Sequence, residues 1–274
     1  MTTRTLRVGP WAVAFHEVPE ALGARLDDRW GPFVTPAVSA PSLDVRLGEA
    51  APGATLGPWK PGETYRMEAV PGPGVPAVRS YGFVLAPTAP RAFALDLVVG
   101  TEEPAERRVE NAARLLVARL ALEAGGFALH GAAVLDGGRA LVLAGPSRAG
   151  KTTAVAALGW PSLGDDFAVV VPWKGVWAAA ATPFDNRERI PAGAFTGTAA
   201  LAAIWGLEQG AQGGRRLLGA RGGASTLLTC AAFPWALPDL TDALVTATVR
   251  CAGQVECGIL TFALDTDLRA LVRG

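Results

Sequence analysis

The spacing of apolar residues changes character near Pro104. Before it, short apolar pieces such as SYGFVLAP and AFALDLVVG alternate with proline- and glycine-rich breakers such as PGATLGPWKPGETYRM and VPGPGVPAVRSYG. Runs of that length between such breakers predict strands joined by turns, hence a small, irregular β-rich lobe over residues 1–105 with no cluster of chemically active side chains. From residue 106 to 274 the pattern predicts a second domain. EEPAERRVENAARLLVARLALEAGG has apolar residues at three- and four-residue spacing and ends in paired glycines, the mark of an amphipathic helix and its stop. FALHGAAVLD and RALVLAG then predict two strands joined tightly at Gly137 and Gly138.

After Lys151, TTAVAAL predicts a short helix stopped by Gly159 and Pro161. FAVVV predicts a further strand, leading into a hairpin over VVVPWKGVWAAAA. In the alanine-rich last third, helices are predicted around Ala199–Gln209 and Ala224–Ala232, with a late strand near CGILTFAL. The uncharged run Ile190–Leu207 is long enough to raise the question of a membrane span. Its prolines, glycines and threonines favour a buried turn followed by a helix. The expected class is therefore α/β, a mostly β-sheet core with flanking helices plus the N-terminal lobe.

Composition narrows the function. Half of the 274 residues are hydrophobic and 18% charged, which excludes a disordered chain, and 25 basic residues offset 25 acidic ones. No electrostatic footprint for nucleic acid or an anionic membrane results, and neither is an expected partner. Three cysteines, all late in the chain, do not form a disulfide framework, and the two histidines lie far upstream of them, so no zinc site is expected. MTTRTLRVGP has no apolar run, so no cleaved secretory signal is expected and a cytoplasmic location is. The eight tryptophans are scattered, which favours packing over base stacking.

The chemistry concentrates at GPSRAGKT, Gly145 to Thr152, a full match to G-x-x-x-x-G-K-[ST] between a predicted strand and a predicted helix. In such a turn successive backbone amides face the α- and β-phosphates and add to the field of the helix N-terminus. Lys151 would reach the β- and γ-oxygens, and the Thr152 hydroxyl would ligate magnesium. The candidate nucleotide-binding residues are Gly145, Pro146, Ser147, Arg148, Ala149, Gly150, Lys151, Thr152 and Thr153, and the implied cofactors are ATP and Mg2+. One helix later come Asp165 and Asp166. One of these carboxylates would hold magnesium, directly or through water, and the other would accept the proton of an incoming hydroxyl. His130, one strand upstream of the turn, would lie near Asp165 if the two strands pair. Candidate phosphate clamps are Arg148, Arg187, Arg189, Arg215, Arg216 and Arg221.

LHGAAV, a glycine turn, LAGPSRAGKTT and then GDD after one short helix together resemble the kinase domain of the HPr serine kinase/phosphorylase group, whose nucleotide core is shared with phosphoenolpyruvate carboxykinase. The resemblance covers roughly Glu110 to the C-terminus, and TPFDN and ALAAIWGLEQG are similar to segments that follow the core in the related-kinase branch. It implies an HPr-kinase-like P-loop core and an ATP-dependent kinase. It assigns Lys151 and Thr152 to phosphate and magnesium, Asp165 to the base, Asp166 to its metal-side neighbour, and His130 to support of the catalytic aspartate.

Thr153 stands where the HPr-specific enzymes carry glutamate, the helix after Lys151 is about a turn shorter, and their carrier-recognition loop is not found. HPr itself is therefore not the expected substrate. The expected acceptor is a hydroxyl-bearing peptide, protein or small molecule, and related kinases form oligomers, so a homo-oligomer is among the expected assemblies. The alternative is a nucleotide hydrolase or a nucleotide-gated regulatory switch without an alcohol acceptor.

Overall fold

The computed structural model describes residues 1–36, 42–59, 65–146, 148–185, 190–263 and 266–273. It is a mixed α/β structure, mostly β-sheet with flanking helices. An eight-stranded sheet holds β1 (Thr2–Val8), β2 (Trp11–Val18), β3 (Val34–Thr35), β4 (Leu43–Glu49), β5 (Met67–Val70), β6 (Ala77–Ser80), β7 (Phe83–Ala89) and β8 (Ala92–Leu97), in the order β3-β1-β2-β4-β8-β7-β6-β5. The β2–β4 and β4–β8 pairs are parallel. Helix α1 (Glu20–Trp30) lies in the connection from β2 to β4 and buries Leu22, Leu26 and Trp30.

Helix α2 (Ala105–Glu123) fulfils the predicted amphipathic pattern: Val109, Ala112, Ala113, Leu116 and Leu120 are buried at helical spacing. It packs against β2, β7 and β8 of the first sheet and against β9 and β13 of the second, so both sheets share one apolar core around it. Its stop is set by Gly125, at φ 75°, and by Gly126, where a Cβ would lie 2.3 Å from the carbonyl oxygen of Val170.

The nine-stranded sheet holds β9 (Phe127–Leu129), β10 (Gly131–Asp136), β11 (Arg139–Ala144), β12 (Ser162–Gly164), β13 (Ala168–Trp173), β14 (Val176–Ala180), β15 (Thr198–Gln209), β16 (Gly214–Leu218) and β17 (Glu256–Phe262). The path runs β12-β10-β11-β15-β14-β13-β9, with β17 on β15 and β16 on β17. Helices α3 (Lys151–Leu158), α4 (Ala220–Thr229), α5 (Thr241–Ala252) and α6 (Leu268–Arg273) flank it. The β10–β11 and β13–β14 hairpins turn through Gly137–Gly138 and Lys174–Gly175, all four at positive φ as a tight two-residue connection demands. Under α3 and α6 a second apolar cluster forms on Leu141, Leu143, Trp205, Leu260 and Phe262.

Two elements differ from expectation. Ala199–Gln209 is not a helix but most of β15, the long strand that joins the two halves of the sheet. It pairs with β14 through Thr198–Ala200 and, further on, lies between parallel β11 and β17. A strand covered on both faces carries a continuous apolar run, which alanine's helical propensity disguises, and tertiary pairing overrides that propensity. The Ile190–Leu207 segment accordingly ends in strand, and among the described residues no helix is long and apolar enough to cross a membrane. FALHGAAVLD is likewise not one strand: it breaks at His130, β9 pairing with β13 and β10 with β11 and β12. The break is held by His130 N–H donating to Cys230 O at 2.7 Å and Gly145 N–H donating to His130 O at 3.0 Å.

Candidate active site

Strand β11 delivers the chain to the glycine-rich turn at one end of the parallel β11–β15–β17 group. Gly150 adopts φ 93° and ψ 18°, and a Cβ there would lie 2.8 Å from Phe262 Cζ, so both conformation and space require glycine. The rim is tied down on each side. Ala149 N–H donates to Pro146 O at 3.1 Å, and the carbonyl of Arg148, itself at φ 69°, accepts from Gln209 Nε2 at 3.0 Å. Helix α3 starts at Lys151 with Gly150 as its N-cap and no side-chain cap, so no side chain takes up the amides that open the helix. Lys151 is buried and folds back over the rim, its Nζ donating to Gly145 O and Pro146 O, both at 3.0 Å, and standing 3.5 Å from Asp166 Oδ1.

Gly164 closes β12, and a Cβ on it would lie 2.4 Å from Thr182 Oγ1. The chain then presents the two aspartates in different directions. Asp165 is buried, and its Oδ2 accepts from Thr152 Oγ1 at 3.0 Å. Its Oδ1 is buried without a hydrogen-bond partner among the described residues. Burial pushes the Asp165 carboxyl above the usual range. The Thr152 hydrogen bond opposes this, Asp185 and Asp166 add to it, and Lys151 opposes it. Asp166, at φ 73°, keeps 36% of its side chain open and meets Lys151 instead.

His130 is exposed at its outer surface, yet protein crowds it, with the Phe233 ring edge-on at a centroid distance of 6.1 Å. Its pKa is lowered, chiefly by desolvation. Asp166 opposes the shift, and Lys151 and Arg114 reinforce it. Of the two neighbouring aspartates, Asp166 is the one whose charge acts on His130. Phe233 in turn contacts Phe167, which packs edge-on to Phe184.

Lys151, Thr152, Asp165, Asp166 and His130 are therefore brought together. Thr153 is exposed on the first turn of α3, and Arg148 points its backbone rather than a paired guanidinium at the rim. Ser147, Arg187 and Arg189 lie outside the described residues. Arg215 is elsewhere, on β16 with its guanidinium 5.3 Å from the Trp205 ring, as are Arg216 on β16 and Arg221 on α4. Two residues of the site escaped the sequence reading. Asp185 is buried and acts on Asp165; its only signal was an acid closing the apolar run AATPFD. Arg114 reaches the site from α2, and in sequence it looks like any polar position of an amphipathic helix. Cys230, Cys251 and Cys257 are free and buried, and burial raises all three thiols. Among the described residues no group of three or more histidine, cysteine, aspartate or glutamate side chains could by itself hold a metal ion. Magnesium is commonly bound by one or two carboxylates together with substrate phosphates.

No protein-family model matches the chain, and no curated protein matches it significantly.

Proposed function

We propose that this chain transfers the γ-phosphoryl group of ATP, with magnesium, to a hydroxyl of a peptide, protein or small molecule, using a P-loop core like that of the HPr kinase-related group. The observation that carries the reading is a double pairing at the mouth of the glycine turn: Thr152 Oγ1 donating to Asp165 at 3.0 Å, and Lys151 Nζ 3.5 Å from Asp166. A turn that needed only to enter a helix has no use for two neighbouring carboxylates facing its lysine and its threonine.

The donor set suits the groups the reading requires. The turn amides and Lys151 would receive phosphate oxygens. Thr152 Oγ1 and the orphaned Asp165 Oδ1 would hold the cation, and a buried carboxylate oxygen lacking any partner is what a missing cation or its water leaves behind. When bound, magnesium neutralises charge on the phosphate oxygens.

The geometry favours an exchange of the two aspartate roles suggested by resemblance. A base must be reachable by the acceptor, and the open Asp166 is, whereas Asp165 is enclosed and occupied by Thr152. Asp166 therefore takes the hydroxyl proton as the acceptor oxygen forms its bond to phosphorus and the bond to ADP breaks. The lowered pKa of His130 keeps that ring neutral near pH 7, so it competes little for the Asp166 charge. Lys151 must leave the carbonyls of Gly145 and Pro146 to follow the transferred group.

The test is transfer of label from γ-labelled ATP with magnesium into an extract of the source cells, separated into protein, peptide and small-molecule fractions, with Lys151→Ala in parallel. Label that depends on Lys151 in any acceptor fraction supports the kinase. Release as free phosphate only, or nucleotide binding with no turnover, replaces it with a hydrolase or a switch.

A further inference from the structure

Arg114 carries more charge than its surroundings use. Its Nη2 donates to Glu110 Oε1 at 2.9 Å, and its guanidinium carbon stands 5.5 Å from the centre of the Phe184 ring. The side chain is only 13% exposed, and its Nε is buried without a partner among the described residues. Glu110, 2% exposed, is not Arg114's alone: Arg29 of α1 donates to the same carboxylate through Nε and Nη2. Two guanidinium groups on one carboxylate leave a positive charge in excess in a nearly dry place, and an uncompensated charge is costly there. Phe184, beneath Arg114, gives its carbonyl to Asp165 N–H at 3.3 Å, which fixes Arg114 at the edge of the candidate site. The Arg114 charge is also among those that lower the His130 pKa, which accords with that position.

We propose that Arg114 docks an oxyanion of the acceptor, so that the substrate is a hydroxyl compound or peptide bearing a carboxylate or phosphate near the hydroxyl to be phosphorylated. This rests on the kinase reading above. The chemistry suits the residue: a guanidinium held on one side by Glu110 still offers N–H donors in a planar fork, which carboxylate and phosphate match. The nucleotide phosphates have the turn and Lys151. The donors of Arg114 that Glu110 does not take answer to the other substrate.

The experiment fractionates an extract of the source cells on an anion exchanger before reaction with γ-labelled ATP and magnesium, using wild type, Arg114→Gln and Arg114→Lys. The expected acceptor is retained on the exchanger. It loses acceptor activity after amidation of carboxylates, or after phosphatase treatment if its anion is a phosphate. Arg114→Gln is expected to raise the KM for that fraction at least tenfold while leaving nucleotide affinity within about twofold, with Arg114→Lys in between. Independently of any acceptor, the His130 resonance, one of only two histidine signals, should titrate at higher pH in Arg114→Gln. Acceptor activity confined to the unretained fraction overturns the proposal. So does an unchanged acceptor KM in a folded Arg114→Gln protein, or a loss that falls on ATP instead. Label in no fraction, with nucleotide still bound, removes the kinase reading itself.

Discussion

Glu110→Gln tests how far the buried charge cluster between α1 and α2 depends on its one carboxylate. Glu110 accepts from Arg29 Nε, from Arg29 Nη2 at 3.0 Å and from Arg114 Nη2 at 2.9 Å, and its side chain is 2% exposed. Glutamine keeps the shape and one acceptor but removes the charge, leaving two largely buried guanidinium groups that repel each other. Breaking a buried pair by removing one partner costs about 3–5 kcal/mol, because the other charge stays behind. The Arg29 side chain, 9% exposed, has little water to turn to, so the upper part of that range applies. At roughly 2–4 °C per kcal/mol, the thermal midpoint should fall by about 10 °C or more. A scanning melt followed by circular dichroism reads this directly. The control is the triple replacement Arg29→Met, Glu110→Leu, Arg114→Met, which removes all three charges and should recover much of the loss. A Glu110→Gln midpoint within about 2 °C of wild type, or a triple variant worse than the single one, would refute the argument that the cost lies in unbalanced charge.

Asp165→Asn should abolish the magnesium dependence of nucleotide affinity, whereas Asp166→Asn should keep that dependence and lower transfer by about 10²–10⁴-fold. Titration calorimetry with and without magnesium, beside the label assay, decides this, and the reverse pattern returns the base to Asp165. Gly150→Ala forces a Cβ into φ 93° at a cost of about 1–2 kcal/mol and brings it 2.8 Å from Phe262 Cζ. Nucleotide binding should weaken, with Phe262→Leu restoring the steric part, and an unchanged melt and affinity would contradict the geometry. The folded pKa of His130 lies below its ordinary 6.5, so above that pH the ring is neutral in both states and its contribution to stability is intact. Below pH 6.5 the unfolded chain takes the proton first, and stability falls as the pH drops through the folded pKa. Urea midpoints between pH 7.5 and 5 should therefore decline less in His130→Asn, and parallel slopes would place the loss elsewhere.

The glycine turn was legible because each of its requirements leaves a mark in one short segment: apolar strand, glycines, lysine, threonine, helix. The two hairpins were legible for the same reason, since Gly137–Gly138 and Lys174–Gly175 announce turns that need positive φ. What escaped reading depends on partners distant in sequence. Nothing within Thr198–Gln209 states that β11 and β17 will flank it, and an alanine-rich run between two strands is locally indistinguishable from a helix. Asp185 and Arg114 were missed because their meaning lies in the charge they exert on Asp165 and His130, which other elements carry. His130 was found, but the break between β9 and β10 at that residue, which sets its surroundings, has no local signal.

The division of labour between the two aspartates has a backbone cause. Adjacent carboxylates that share one site repel, and each raises the other's pKa, as Asp166 does to Asp165. Here the strain is relieved by conformation: Asp166 takes φ 73°, a region that costs a non-glycine residue about 1–3 kcal/mol and is retained chiefly where function holds it. One carboxylate meets the threonine and the other, on the left-handed residue, meets Lys151. Aspartate is among the few residues besides glycine that enter this region routinely. Aspartate in a left-handed conformation, beside a lysine that folds over the glycine turn, sets the direction in which one carboxylate points.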